Sequence, residues 1–234
     1  MKVIGHRGAA GLAPENTYAG FDLALKLGVD GIETDVQRTK DGMLVLFHSE
    51  LLDKTTSGTG VLQETTWHEL QQLDAGSWFG RIYAGEHVPL LLEMLQRYGT
   101  RTTLDLEIKQ NGIEYEVLAV VEQLNLLERV AFTSRDFPII ARIKERNPLA
   151  HVGYLAANVS EDMMQRFLTA NMCYFCPRAL HITKELVDQW HACGLFVRAC
   201  GVSTTEMMKK AIHIGVDGMT YDYPDELLKE LGRL

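Results

Sequence analysis

Short apolar runs recur along the whole chain: "KVIGH" (2–6), "GIETDV" (31–36), "TTLDLEI" (102–108), "RVAFTS" (129–134), "HVGYL" (151–155), "MCYFC" (172–176), "LFVRAC" (195–200) and "DGMTY" (217–221). Each is short and strand-like in composition, which predicts strands. Between them lie stretches with apolar residues three and four apart, such as "NTYAGFDLALKLG", "IEYEVLAVVEQLN", "TKELVDQWHACG" and "TTEMMKKAIHIG". These predict helices. Regular alternation of strand and helix implies parallel strands joined by crossover helices. About eight such units over this length predict an α/β protein of the (β/α)8 TIM-barrel class, filling residues 1–234 as one domain. An open doubly wound sheet would share the alternation, but the chain has no G-x-G-x-x-G to favour it.

One interval breaks the rhythm. "KDG" between two apolar runs reads as a hairpin turn after the second strand. The segment that follows, rich in Gly, Thr and aromatics, has neither strand nor helix period. Residues 49–88 are therefore expected to form a small insertion subdomain after the second strand. Its Trp67, Trp78, Phe79 and Tyr83 could form a lip over a site; a small core of the insertion's own is the expectation favoured here.

Composition narrows the function. Hydrophobic residues make up 46% of the 234, enough for a sizeable core. No run approaches the ~18 apolar residues of a membrane span, and the N-terminus lacks a signal-peptide apolar region, so a cytoplasmic protein without stable membrane insertion is expected. The net charge of −8 argues against nucleic acid as a partner. It leaves a small anionic substrate open, because local cations or a metal can override the overall sign. Self-assembly into a homo-oligomer stays open. Cys173 and Cys176 form C-x-x-C inside a strand-like run, where residues three apart face opposite sides. That excludes a shared metal, and buried core thiols are expected instead.

The polar residues gather at predicted strand ends: His6 and Arg7 after the first strand, Glu33 and Asp35 on the second, His48 after the hairpin return, Glu107 and Lys109 on "LDLEIK". Catalytic groups of such barrels come from the C-terminal strand ends. Glu33 and Asp35 are two residues apart and share a face, about 7 Å along the strand. Glu107 and Lys109 share one too, and the leucines and isoleucine between them face the helices. A lone Glu-x-Asp is more often a solvated face than a site, and a lone histidine more often structural. Their joint placement on one rim points further. A barrel interior does not hold several unpaired carboxylates; a hard divalent cation, Mg²⁺ or Ca²⁺, accounts for them. Two histidines beside a cation and an arginine suit acid/base chemistry on a phosphate.

In order, the chain carries "HRG", "ENT", "ETD", "HS", "KTTSGTG", "VPLLLEML", "EIK" and "YDYP". In this it resembles the glycerophosphodiester phosphodiesterase family over essentially its whole length. The resemblance implies a barrel with an insertion after strand two. It also implies metal-dependent hydrolysis of small-molecule glycerophosphodiesters to sn-glycerol 3-phosphate and an alcohol. Carried over motif by motif, His6 and His48 are the acid/base pair and Glu33, Asp35 and Glu107 hold one divalent cation. Arg7 and Lys109 contact the phosphate, and Glu15 lines or supports the site. Ser49 stands where the family usually has Asp, Arg198 where it has Trp, Gly201 where it has Asn, and Tyr221 where it has Thr. Alternation in "FVRAC" makes Arg198 a candidate substrate-binding residue that favours anionic head groups. A lysophospholipase D-type enzyme and a catalytically silent phosphodiester-binding barrel are the competing readings.

Overall fold

The computed structural model of the chain describes residues 1–157 and 160–234. Among these, one sheet holds β1 (Lys2–Gly5), β2 (Gly31–Arg38), β3 (Leu44–Leu46), β4 (Thr103–Ile108), β5 (Val130–Ser134), β6 (His151–Ala156), β7 (Tyr174–Pro177), β8 (Phe196–Ala199) and β9 (Gly218–Tyr221). All but β3 pair in parallel with their neighbours. β1 pairs with both β9 and β2, which closes eight strands into a barrel. β3 lies outside the closure, antiparallel on the second half of β2. Helices α1 (Tyr18–Leu27), α2 (Trp67–Leu70), α3 (Leu91–Tyr98), α4 (Glu114–Gln123), α5 (Phe137–Arg146), α6 (Glu161–Thr169), α7 (Lys184–Ala192), α8 (Thr205–Ile214) and α9 (Pro224–Glu230) complete the chain. With the exception of short α2, they surround the strands as crossovers or as the final cover. This is the (β/α)8 barrel that the alternation predicts, with all eight strand-like runs in the wall.

Period-two alternation sorts the side chains. On β4, Leu104, Leu106 and Ile108 join one apolar cluster with Val117, Leu118 and Val121 of α4, between sheet and helices. Asp105 and Glu107 take the other face, inside the barrel. Local signals set the helix ends. Thr17 caps α1 by accepting from the Gly20 N–H, and Gly28 ends it in the left-handed region.

Between β3 and α3, the chain carries α2 and three 3₁₀ turns. Leu52, Leu62, Leu70, Ala75 and Val88 of this segment form a second apolar cluster with Phe47 and with Val45 of β3. Trp67 packs against that cluster. Trp78, Phe79 and Tyr83 stack edge to face, and Tyr83 donates its hydroxyl to the Leu12 carbonyl. None of these four aromatics lines the cavity described below.

The cysteines correct one expectation. Only Cys176 is fully buried; Cys173 and Cys193 are exposed and Cys200 is half-buried. Cys173 precedes β7 and sits at the N-terminal barrel mouth, and Cys193 follows α7, so neither reaches the core. Burial pushes the Cys176 thiol up to about 12, consistent with an inert core group.

Candidate active site

The site begins in a strained turn. After β1, Arg7 adopts φ 49° and Gly8 φ 91°. The left-handed region is uncommon for arginine, and the Arg7 N–H is held there by Glu33 Oε2 at 3.0 Å. At Gly8 an added Cβ would stand 2.6 Å from the Gly20 carbonyl carbon. Dihedral angle and close approach of α1 both require glycine. "HRG" is thus one backbone device that turns two side chains over the barrel mouth.

Strand register supplies the carboxylates. β2 and β4 run parallel with Asp35 opposite Glu107. Glu33, Asp35 and Glu107 are all buried, and their oxygens lie within 4.8 Å of one another. Burial and the neighbouring Asp35 charge push Glu33 up to about 7. Burial would raise Asp35 as well, but Arg7 and Lys109 outweigh it and hold that carboxyl below its usual range. Asp35 Oδ1 has no hydrogen-bond partner among the described residues; Lys109 Nζ stands 3.5 Å away. Three converging carboxylates with one orphaned oxygen fit a hard divalent cation.

Cations frame this cluster. Arg7 Nε lies 3.1 Å from Asp35 Oδ2, and its Nη1 donates to Glu15 Oε2 at 2.9 Å. Lys109 Nζ donates to Glu107 Oε1 at 3.0 Å. Glu15 therefore acts on the site through Arg7, holding its guanidinium in place.

The two imidazoles differ. His6 Nδ1 pairs with Asp222 Oδ1 at 2.5 Å, and its Nε2 lies 3.9 Å from Glu33 Oε2. Burial would lower its pKa, but the Asp222 hydrogen bond and the Glu33 charge outweigh it and leave the pKa raised. His48 lies just past β3, half-buried, with Nδ1 unpartnered among the described residues. Burial, joined by the charges of Arg7 and Lys109, pushes it down to about 4 against the pull of Asp35.

Two residues escaped the sequence reading. Asn16, the middle residue of "ENT", is turned inward. Its Nδ2 donates to Asp35 Oδ2 at 3.0 Å and its Oδ1 accepts from Thr34 Oγ1 at 2.6 Å. Asp222 holds His6. Both belong to motifs already singled out, "ENT" and "YDYP", but nothing local in those motifs names their partners.

Arg198, the candidate for head-group binding, lies on the cavity wall but is buried and already paired. It is 1% exposed, with Nη1 3.1 Å from Asp105 Oδ2 and Nε donating to Cys176 Sγ at 3.3 Å. The alternation that turns it inward also buries it, and a buried guanidinium requires a carboxylate. Arg198 and Thr220 thus form the floor of a cavity of ≈ 320 Å³ that His6, Arg7, Glu33 and Glu107 line on one side. A second cavity, of ≈ 230 Å³, opens at the opposite barrel end between Lys2, Ile4 and Phe196. The Glu33, Asp35 and Glu107 cluster and both site histidines lie at the first end.

Residues 6–226 match the Glycerophosphoryl diester phosphodiesterase family. The chain is 36% identical to a glycerophosphodiester phosphodiesterase of Caldanaerobacter subterraneus, covering 97% of this chain and 96% of that one. It is 32% identical to a Bacillus altitudinis glycerophosphodiester phosphodiesterase, covering 97% of each. An Oleispira antarctica phosphodiesterase, solved with its product sn-glycerol-3-phosphate, superposes with a TM-score of 0.88 at 30% identity, over 99% of this chain and 97% of that one.

Proposed function

The chain belongs to the glycerophosphoryl diester phosphodiesterase family and is a glycerophosphodiester phosphodiesterase, and from that premise we propose a metal-dependent hydrolysis carried by His6 and His48. The substrate is a glycerophosphodiester, and the products are sn-glycerol 3-phosphate and an alcohol. The observation that carries the reading is the convergence of Glu33, Asp35 and Glu107 within 4.8 Å, beside two histidines and two cations.

Glu33, Asp35 and Glu107 would hold one Mg²⁺ or Ca²⁺. When bound, such an ion neutralises charge on the phosphoryl oxygens. Arg7 and Lys109 stand at the same carboxylates and offer guanidinium and ammonium donors to the phosphate. Asn16 and Glu15 fix Asp35 and Arg7 by direct hydrogen bonds, so the charged groups are set before substrate arrives. Asp222 fixes His6 through Nδ1 and leaves Nε2 for the reaction. One histidine accepts the proton of the attacking hydroxyl, either of water or of the adjacent glycerol carbon; in the second case the first product is a cyclic phosphate, which water then opens to sn-glycerol 3-phosphate. A bond from that oxygen to phosphorus forms as the phosphorus bond to the alcohol oxygen breaks. The other histidine gives its proton to the departing oxygen.

The test is release of sn-glycerol 3-phosphate from a panel of glycerophosphodiesters, with and without chelator. Chelator-sensitive release is expected. Absence of release from every diester, with metal supplied, overturns the proposal.

A further inference from the structure

The cavity has a second wall, across the barrel from the carboxylates. Counting round the closure from β2, the fourth strand on is β7, so residues after β7 face the site from the far side. The cavity holds three arginines: Arg135, just past β5 beside Glu107, and Arg178 and Arg198 on the far side. Two of the three are already compensated: Arg198 by Asp105 at 3.1 Å, and Arg135, whose Nε lies 3.6 Å from Glu107 Oε1. Arg178 is exposed and has no carboxylate partner among the described residues. It follows β7 directly and lies beside Gly201, where an added Cβ would stand 3.7 Å from Arg178 Nε.

We propose that Arg178 is a specificity-determining residue that receives an anionic group, phosphate or carboxylate, on the alcohol half of the diester. The inference rests on the phosphodiesterase reading above. Its logic is one of charge. The scissile phosphate is met by Arg7 and Lys109 on the near wall. The glycerol half is uncharged and has no use for a free guanidinium. The variable half is the alcohol, and the fork of an arginine matches a planar carboxylate or a phosphate face with two parallel donors. Leu155 and Val202 line the same cavity and offer no competing charge. A quaternary ammonium would meet like charge there.

The experiment compares kcat/KM on glycerophosphodiesters whose alcohols are glycerol, choline, glycerol phosphate and glycerate. The last two separate phosphate from carboxylate recognition. The unaltered protein should prefer at least one anionic alcohol over choline by about tenfold or more, mostly through KM. R178E should shrink that ratio by about tenfold, whereas R178K should keep most of it. Melting temperatures of both variants, altered at an exposed position, show whether the fold is kept. An equal change on all four diesters, or no preference in the unaltered protein, overturns the inference while glycerol-diester hydrolysis upholds the parent reading. Failure to hydrolyse any of them removes both.

Discussion

His6 and Asp222 meet across the seam of the barrel, with Nδ1 of the first 2.5 Å from Oδ1 of the second. The parallel register of β1 and β9 pairs Gly5 with Tyr221, so the next residue of each strand falls at the same level. A carboxylate on Nδ1 sets ring orientation and leaves Nε2 free, as in other histidine–carboxylate pairs. The expected outcome is a hierarchy. His6→Ala and His48→Ala should each lower kcat by about 100-fold or more, and Asp222→Asn by about tenfold with KM little changed. Near-normal turnover in a histidine variant removes that residue from the mechanism. An unaltered kcat in Asp222→Asn removes the orienting role.

The carboxylate cluster predicts a metal requirement. Without a cation, Glu33 sits well above its ordinary range because it is buried beside Asp35, and the cluster is held by neighbouring side chains, Arg7 and Lys109 foremost. An ion that binds only the folded state adds stability in proportion to its occupancy. Exhaustive chelation should therefore abolish turnover and lower the melting temperature, and Mg²⁺ or Ca²⁺ should restore both. Glu33→Gln and Glu107→Gln should weaken ion binding measured by calorimetry. Full activity in protein shown by metal analysis to be ion-free would falsify this and leave the three carboxylates as salt-bridge partners.

Arg198 and Asp105 predict a structural cost. Tyr174 Oη donates to the same Asp105 oxygen at 2.6 Å, so a compact polar group fills the barrel interior. Breaking a buried pair from one side strands the other charge, at about 3–5 kcal/mol. Arg198→Trp should therefore melt lower by roughly 6–20 °C for a chain of this size. Adding Asp105→Asn should recover part of the loss. A single variant that melts like the unaltered protein overturns this and shows that Asp105 finds another partner.

What the sequence revealed and what it hid divide along a physical line. Strand alternation is local, so all eight wall strands and the inward facing of Glu33, Asp35 and Glu107 could be read from spacing alone. The placement of His6 and Arg7 at the end of the first strand was legible too, whereas the left-handed turn that presents them was not, because it depends on Glu33 and on the close approach of α1. Asn16 and Asp222 were not, because their partners lie 19 and 216 residues away and are delivered only when the barrel closes. Arg198 shows the limit of alternation: it gave the face but not the carboxylate waiting on β4. Cys173 shows another limit, since an apolar run extends one residue beyond the strand it predicts, onto an exposed end.

Far from the chemistry, Asp30 predicts how the protein responds to acid. It precedes β2, accepts from the Val3 N–H at 2.7 Å, and receives both terminal nitrogens of Arg233 at 2.7 and 3.1 Å. One carboxylate thus ties β1 to the end of the chain. Burial would raise its pKa, but the Arg233 and Val3 hydrogen bonds outweigh it and the pKa is lowered on folding. A group whose pKa falls on folding adds stability above its unfolded value, about 3.9, and loses it as pH drops through the folded value. The contribution is therefore complete at pH 7 and fades below about pH 4. Its side chain is 34% exposed, so solvent screening keeps the effect modest. Asp30→Asn should cost about 1–2 kcal/mol at pH 7, read by urea unfolding, and the gap to the unaltered protein should narrow at pH 3. A gap that is the same at both pH values would show that the loss comes from packing of the amide and not from the charge.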